Sequence, residues 1–114
     1  MKREIRDYIE DVLSAMDKAM AFIKEMSFEE FAKDDKSTFA VIRAIEIMGE
    51  AVKKIPVKAR SRYPEIPWRE MAGMRDKMIH GYFGVDVGIV WETVKVKIPA
   101  IKPLFEQILK DLDG

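Results

Sequence analysis

Ile5-Arg6-Asp7-Tyr8-Ile9-Glu10-Asp11-Val12-Leu13-Ser14-Ala15-Met16-Asp17-Lys18-Ala19-Met20-Ala21-Phe22-Ile23 is the stretch on which the fold turns. Ile5, Tyr8, Ile9, Val12, Leu13, Met16, Met20 and Ile23 recur at steps of three and four, the period of one face of a helix. That period predicts a first helix over about residues 2–26. Next, Ser27 and Glu30 form a capping-box pattern that opens a short helix, which Asp34-Asp35-Lys36-Ser37 interrupts. Phe39, Val41, Ile42, Ile45, Met48, Val52 and Ile55 make a second apolar stripe ending at Pro56. A helix over about 37–55 follows from it.

Further out, Pro56, Pro64 and Pro67 bracket a broken stretch in which Val57 to Tyr63 can form one short turn of helix. Pro67 suits the first position of a third long helix, where Trp68, Met71, Ala72, Met78 and Ile79 are apolar. Gly81 and Gly84 end that helix near His80. Asp86 can cap the next one, with Val87, Val90, Trp91 and Val94 on its apolar side, and a kink or break is expected at Pro99 and Pro103. Ile101, Leu104, Phe105, Ile108 and Leu112 resume the pattern. No alternating run reads as a strand. The expected fold is all-α: an antiparallel four-helix bundle with short extra helices, in which residues 1–114 form a single domain.

With 48% hydrophobic residues in 114, the chain can bury one core and has no room for a second. It has no cysteine, which excludes a disulfide framework and the thiolate zinc sites and fits a reducing, cytoplasmic setting. No apolar run is long enough for a signal peptide or a membrane span, so no membrane role is expected. The formal net charge of zero argues against a large non-specific nucleic-acid footprint. Charge is nonetheless uneven. Residues 53–77 hold Lys53, Lys54, Lys58, Arg60, Arg62, Arg69, Arg75 and Lys77 against Glu65, Glu70 and Asp76. That segment is either a solvated polar face or a patch that faces phosphate. The eight methionines read as core filler, and Trp68 and Trp91 as buried anchors. Glu46, Glu50 and Asp76 lack the spacing of a cation site, and neither metal nor cofactor is expected.

The informative cluster is the only histidine, His80, five residues after Arg75 and two before Tyr82. Read from physics alone, a histidine at a helix C-terminus is often structural, because its imidazolium offsets the helix dipole. Positions 75 and 80 lie about 140° apart on an ideal helix, so the helix must deform or the arginine must reach.

Arg75-Asp76-Lys77-Met78-Ile79-His80-Gly81-Tyr82 resembles the signature of the HEPN superfamily in its HepT-type form, an arginine followed by histidine-X-tyrosine. The segments at 40–51, 63–68, 72–75 and 82–86 resemble the same family, so the likeness runs over nearly the whole chain. It implies a homodimer that cleaves RNA without metal, with Arg75 and His80 catalytic. Their charged neighbour Asp76 either supports them by orienting one of the two or is a plain solvent-exposed helix residue. Histidine titrates near neutrality and can move protons, while arginine stays charged and grips phosphate with two hydrogen bonds. One histidine cannot serve both sides of an in-line displacement, and a twofold contact supplies a second. The resemblance also implies a partner nucleotidyltransferase, an MntA-like antitoxin that attaches AMP to Tyr82. The competing readings are a subunit that binds a nucleotide or that partner without cleaving anything, and a purely structural helical dimer.

Overall fold

Start and stop residues set the element boundaries. The computed structural model describes residues 3–80 and 86–114, with the backbone alone over 75–80. Among the described residues there is no strand. The helices are α1 (Ile5–Ile23), α2 (Phe28–Lys33), α3 (Asp35–Lys54), α4 (Val57–Arg60), α5 (Trp68–His80), α6 (Val87–Glu92) and α7 (Ile98–Asp113), with a π-helical turn (Thr93–Lys97) between the last two.

The capping box forms as its residues predict: Ser27 N–H donates to Glu30 Oε1 (2.9 Å) and Glu30 N–H to Ser27 Oγ (3.1 Å). Asp34 alone separates α2 from α3, because its carboxylate accepts from the Ser37 hydroxyl (2.8 Å) and caps the new helix. The expected four-residue interruption is therefore one residue long. Pro56 stops α3, and Arg60 turns back so that its Nε donates to the Ile55 carbonyl (2.8 Å). Asp86 caps α6 by accepting from Gly88 N–H (2.8 Å) and Ile89 N–H (3.4 Å).

Three expectations are corrected. Pro67 precedes α5, its carbonyl accepting from Met71 N–H (3.0 Å), and Trp68 is the first helical residue. The helix does not break at Pro99 or Pro103. A proline ring clashes with the carbonyl four residues back, and here the backbone widens just ahead of Pro99: Ile98 N–H bonds Thr93 O, five residues back, and α7 then runs unbroken through Pro103. Phe39, placed in the second apolar stripe, is 50% exposed, since it lies off the α3 face that carries Val41, Ile45, Met48 and Val52 into the core.

α1 packs against α3 on one side and α7 on the other, while α3 also packs against α5. Antiparallel pairing of α1 with α7 is marked at its two ends: Arg6 pairs with Asp113, and Lys102 Nζ meets Asp17 Oδ1 at 2.7 Å. Ile9, Val12, Met16 and Ile23 of α1 meet Val41, Ile45 and Val52 of α3 in a core that Phe31, Val90, Ile98 and Phe105 complete. Each fully buried side chain of this size contributes roughly 1.5–3 kcal/mol. Met16, Met48 and Met71 are buried, in keeping with their reading as core filler. No helix among the described residues is long and apolar enough to cross a membrane.

Candidate active site on the fifth helix

The site begins with how α5 is anchored. Trp68 is buried, and its indole N–H is shared between the Arg60 carbonyl (3.1 Å) and the Tyr63 carbonyl (3.0 Å). Its ring stands edge-on to Phe105, with centroids 5.3 Å apart. Tyr63, on the approach to α5, donates its hydroxyl to Asp111 Oδ2 at 2.6 Å, which ties this loop to the end of α7. One turn along, Met71 and Met74 line a cavity of ≈ 30 Å³ with Met16, Met48 and Ile98, where α1, α3, α5 and α7 converge. The start of α5 is thus held by Trp68, by the Tyr63 loop and by the apolar cavity, and its backbone is helical as far as His80.

Arg75, Asp76 and His80 all fall on the second half of this helix. Their side chains, and all of Tyr82, lie outside the described residues. Five residues of helix separate positions 75 and 80 by about 7.5 Å along the axis. Asp86 caps α6, which seats Trp91 against Phe28 and Phe31, with ring centroids 5.9 and 5.4 Å apart. Lys95 Nζ sits 4.9 Å above the Trp91 ring, so this tryptophan is a half-buried anchor. Among the described residues no three histidine, cysteine or acidic side chains gather where a metal ion could sit, and Glu46 is paired to Arg43 at 3.3 Å.

The basic segment proves to be divided in its tasks. Arg60 is absorbed in capping α3, whereas Lys54, Lys58, Arg62 and Arg69 are directed to solvent or its edge. The clamp between Tyr63 and Asp111 was not foreseeable, because 48 positions separate the two residues and no local pattern links them. Two hydrogen bonds, from the Tyr63 hydroxyl and then from the Gln107 amide, hold the Asp111 carboxyl below its usual range. The same carboxylate raises the Tyr63 phenol above its ordinary value. A lowered carboxyl adds stability above the unfolded value near pH 4, and this drains away as pH falls through the depressed one. A raised phenol adds stability below about pH 10, lost as pH climbs through the raised value. Between those limits Asp111→Asn is expected to lower the melting temperature slightly, with the gap from wild type closing towards pH 2–3. A gap that persists undiminished in acid would show that the charge of Asp111 is not what the clamp uses.

A small helical bundle, with an arginine and its only histidine on one helix pinned at its start, is the class of protein these observations define. Residues 12–108 match the family described as ribonuclease HepT-like, and the chain belongs to that family. Over 98% of its length it is 54% identical to the Methanocaldococcus jannaschii protein named "Putative RNase MJ0125", covering 97% of that protein. It is 52% identical over 99% of its length to "Putative RNase MJ1216" of the same organism, covering 93% of it. The Thermococcus cleftensis protein named "Probable ribonuclease HepT" is 54% identical over 96% of this chain and is covered in full. No solved structure matches the chain.

Proposed function

We propose that this chain is a metal-independent endoribonuclease whose catalytic groups are Arg75 and His80, acting as a twofold dimer in the cytoplasm with residues 1–114 as one domain. The observation that supports it is the helical continuation of α5 from its Trp68 anchor through positions 75 and 80, in a chain of the ribonuclease HepT-like family. In this reading a neutral imidazole takes the proton of the ribose 2'-hydroxyl, and the freed oxygen attacks the adjacent phosphorus. The bond to the 5'-oxygen breaks, and an imidazolium returns a proton to that leaving oxygen. The products are a 2',3'-cyclic phosphate and a 5'-hydroxyl. Arg75 holds the phosphoryl oxygens while negative charge accumulates on them. Two imidazoles are needed on opposite sides of the phosphorus, so the α5 ends of two copies meet across the symmetry axis and each supplies one. Asp76 supports the pair by orienting one of them.

Control comes from a partner nucleotidyltransferase acting as antitoxin. The Tyr82 phenolic oxygen attacks the α-phosphorus of ATP, pyrophosphate leaves, and the attached AMP fills the cleft with bulk and negative charge. The test is incubation of the purified protein with total tRNA in a chelator, beside His80→Ala. Fragments ending in cyclic phosphate are expected from wild type alone. Intact RNA in both lanes, from folded dimer free of AMP, would overturn the proposal.

A further inference from the structure

We infer that Arg62 and Arg69, on the shoulder where α5 begins, form a second phosphate-binding site that holds the RNA strand away from the bond being cleaved. The inference rests on the ribonuclease reading above and extends it to a part of the molecule remote from His80.

The arginines of the described surface divide sharply. Arg3 pairs with Asp11 at 2.8 Å, Arg6 with Asp113, and Arg43 with Glu46 at 3.3 Å, while Arg60 donates to the Ile55 carbonyl. Arg62 and Arg69 are exposed and make no hydrogen bond or ion pair among the described residues. Arg69 stands in the first turn of α5, where the positive end of the helix dipole opposes a cation. No described residue pairs with it there. A planar, permanently charged guanidinium left unpaired in such a position is suited to a phosphate, which it grips by two parallel hydrogen bonds.

Helical phase connects this shoulder to the proposed site. Eleven residues from Arg69 to His80 bring the two positions within about 20° of each other on the helix, about 16 Å apart along its axis. Gly73 lies between them on nearly the same side, and a Cβ built there meets no atom of the described residues within 4 Å. A glycine inside a helix is a costly choice where alanine would fit without contact. Here it leaves the backbone bare one turn from the cation, on the stripe that leads past Asp76 to the histidine, and a sugar-phosphate chain can pass closely over it. Glu70, the acid beside Arg69, belongs to another face: it lines the cavity between α5 and α7 together with Lys97.

The experiment is titration of a fluorescently labelled 12-nucleotide single-stranded RNA of mixed sequence, in chelator, with His80→Ala protein so that nothing is cleaved. Adding Arg62→Gln and Arg69→Gln is expected to weaken binding at least about tenfold at low salt and to flatten the plot of log affinity against log salt by about 1.4, the contribution of two single-strand phosphate contacts. Lys18→Gln, which removes an exposed lysine from α1, is expected to do neither. Unchanged affinity and slope in the double variant, or an equal loss with Lys18→Gln, overturns the inference even where wild type cleaves RNA. RNA held through these arginines by a wild type that cleaves nothing would leave the phosphate site standing and remove the ribonuclease reading.

Discussion

Replacing His80 with alanine is expected to slow RNA cleavage by at least about a thousandfold, because proton transfer by one positioned group is worth roughly 10²–10⁴ and the proposed cleft loses both of its imidazoles at once. Arg75→Ala is expected to cost about 10²–10³ by removing charge stabilisation at phosphorus. Neither change should unfold the chain. A histidine at a helix C-terminus contributes only about 0.3–1 kcal/mol through the dipole. Thermal melts and sedimentation would therefore look like wild type while product formation disappears. Mixing wild type with inactive His80→Ala separates a composite cleft from two independent ones. A heterodimer keeps only one of the two imidazoles a composite cleft needs, so activity is expected to fall as the square of the wild-type fraction rather than in proportion to it. Two variants that remain fully active singly would remove these residues from the mechanism.

The second large effect lies in the anchor. Trp68→Ala deletes a buried indole that touches Phe105 and leaves the Arg60 and Tyr63 carbonyls without their shared donor. A cost of about 3–5 kcal/mol is expected, a large part of the stability of a domain this size. Trp68→Phe keeps an aromatic ring but not the N–H and should cost substantially less, with a contribution of about 1 kcal/mol from the lost hydrogen bond. Chemical denaturation of the three proteins decides the matter. Equal losses from the two substitutions would mean that the hydrogen bond, rather than the packing, secures α5. Because that helix carries positions 75 and 80, residual activity of the phenylalanine variant also reports how much of the site's geometry depends on this one anchor.

Much of this architecture was legible because helices advertise themselves locally. The stripes from Ile9 to Ile23 and from Val41 to Val52 have the helical period, and both face the core. Ser27 with Glu30, and Asp86 before Gly88 and Ile89, are caps whose partners lie within three residues, so residue type alone identified them. What escaped was long-range or cumulative. The exposure of Phe39 depends on which face of α3 its neighbours cover, and the bond from Tyr63 to Asp111 on where α7 ends. Pro99 and Pro103 announced an obstruction correctly, but the backbone met it upstream, by widening one turn ahead of the first ring. For the site, chemistry could be read from Arg75, His80 and Tyr82 only through their resemblance to a family, since a lone histidine at a helix end has an adequate structural explanation. The basic segment concealed a division of labour that charge counting cannot express: Arg60 is spent on a carbonyl while Arg62, two residues later, is not.

The widened turn at Thr93–Lys97 has a consequence for how the chain can change its length. A π turn is arithmetically an α-helix with one residue to spare, the surplus taken up as a local swelling. Removing a single residue there would keep Phe105 and Ile108 turned inward as Val90 and Val94 are, though it would return the Pro99 ring to the carbonyl four residues back. The same deletion inside α1 or α3 has no slack to consume. Every residue beyond it would swing by about 100°, carrying half of an apolar stripe out into water. One short segment, next to the first proline of α7, is thus where this bundle tolerates a miscount.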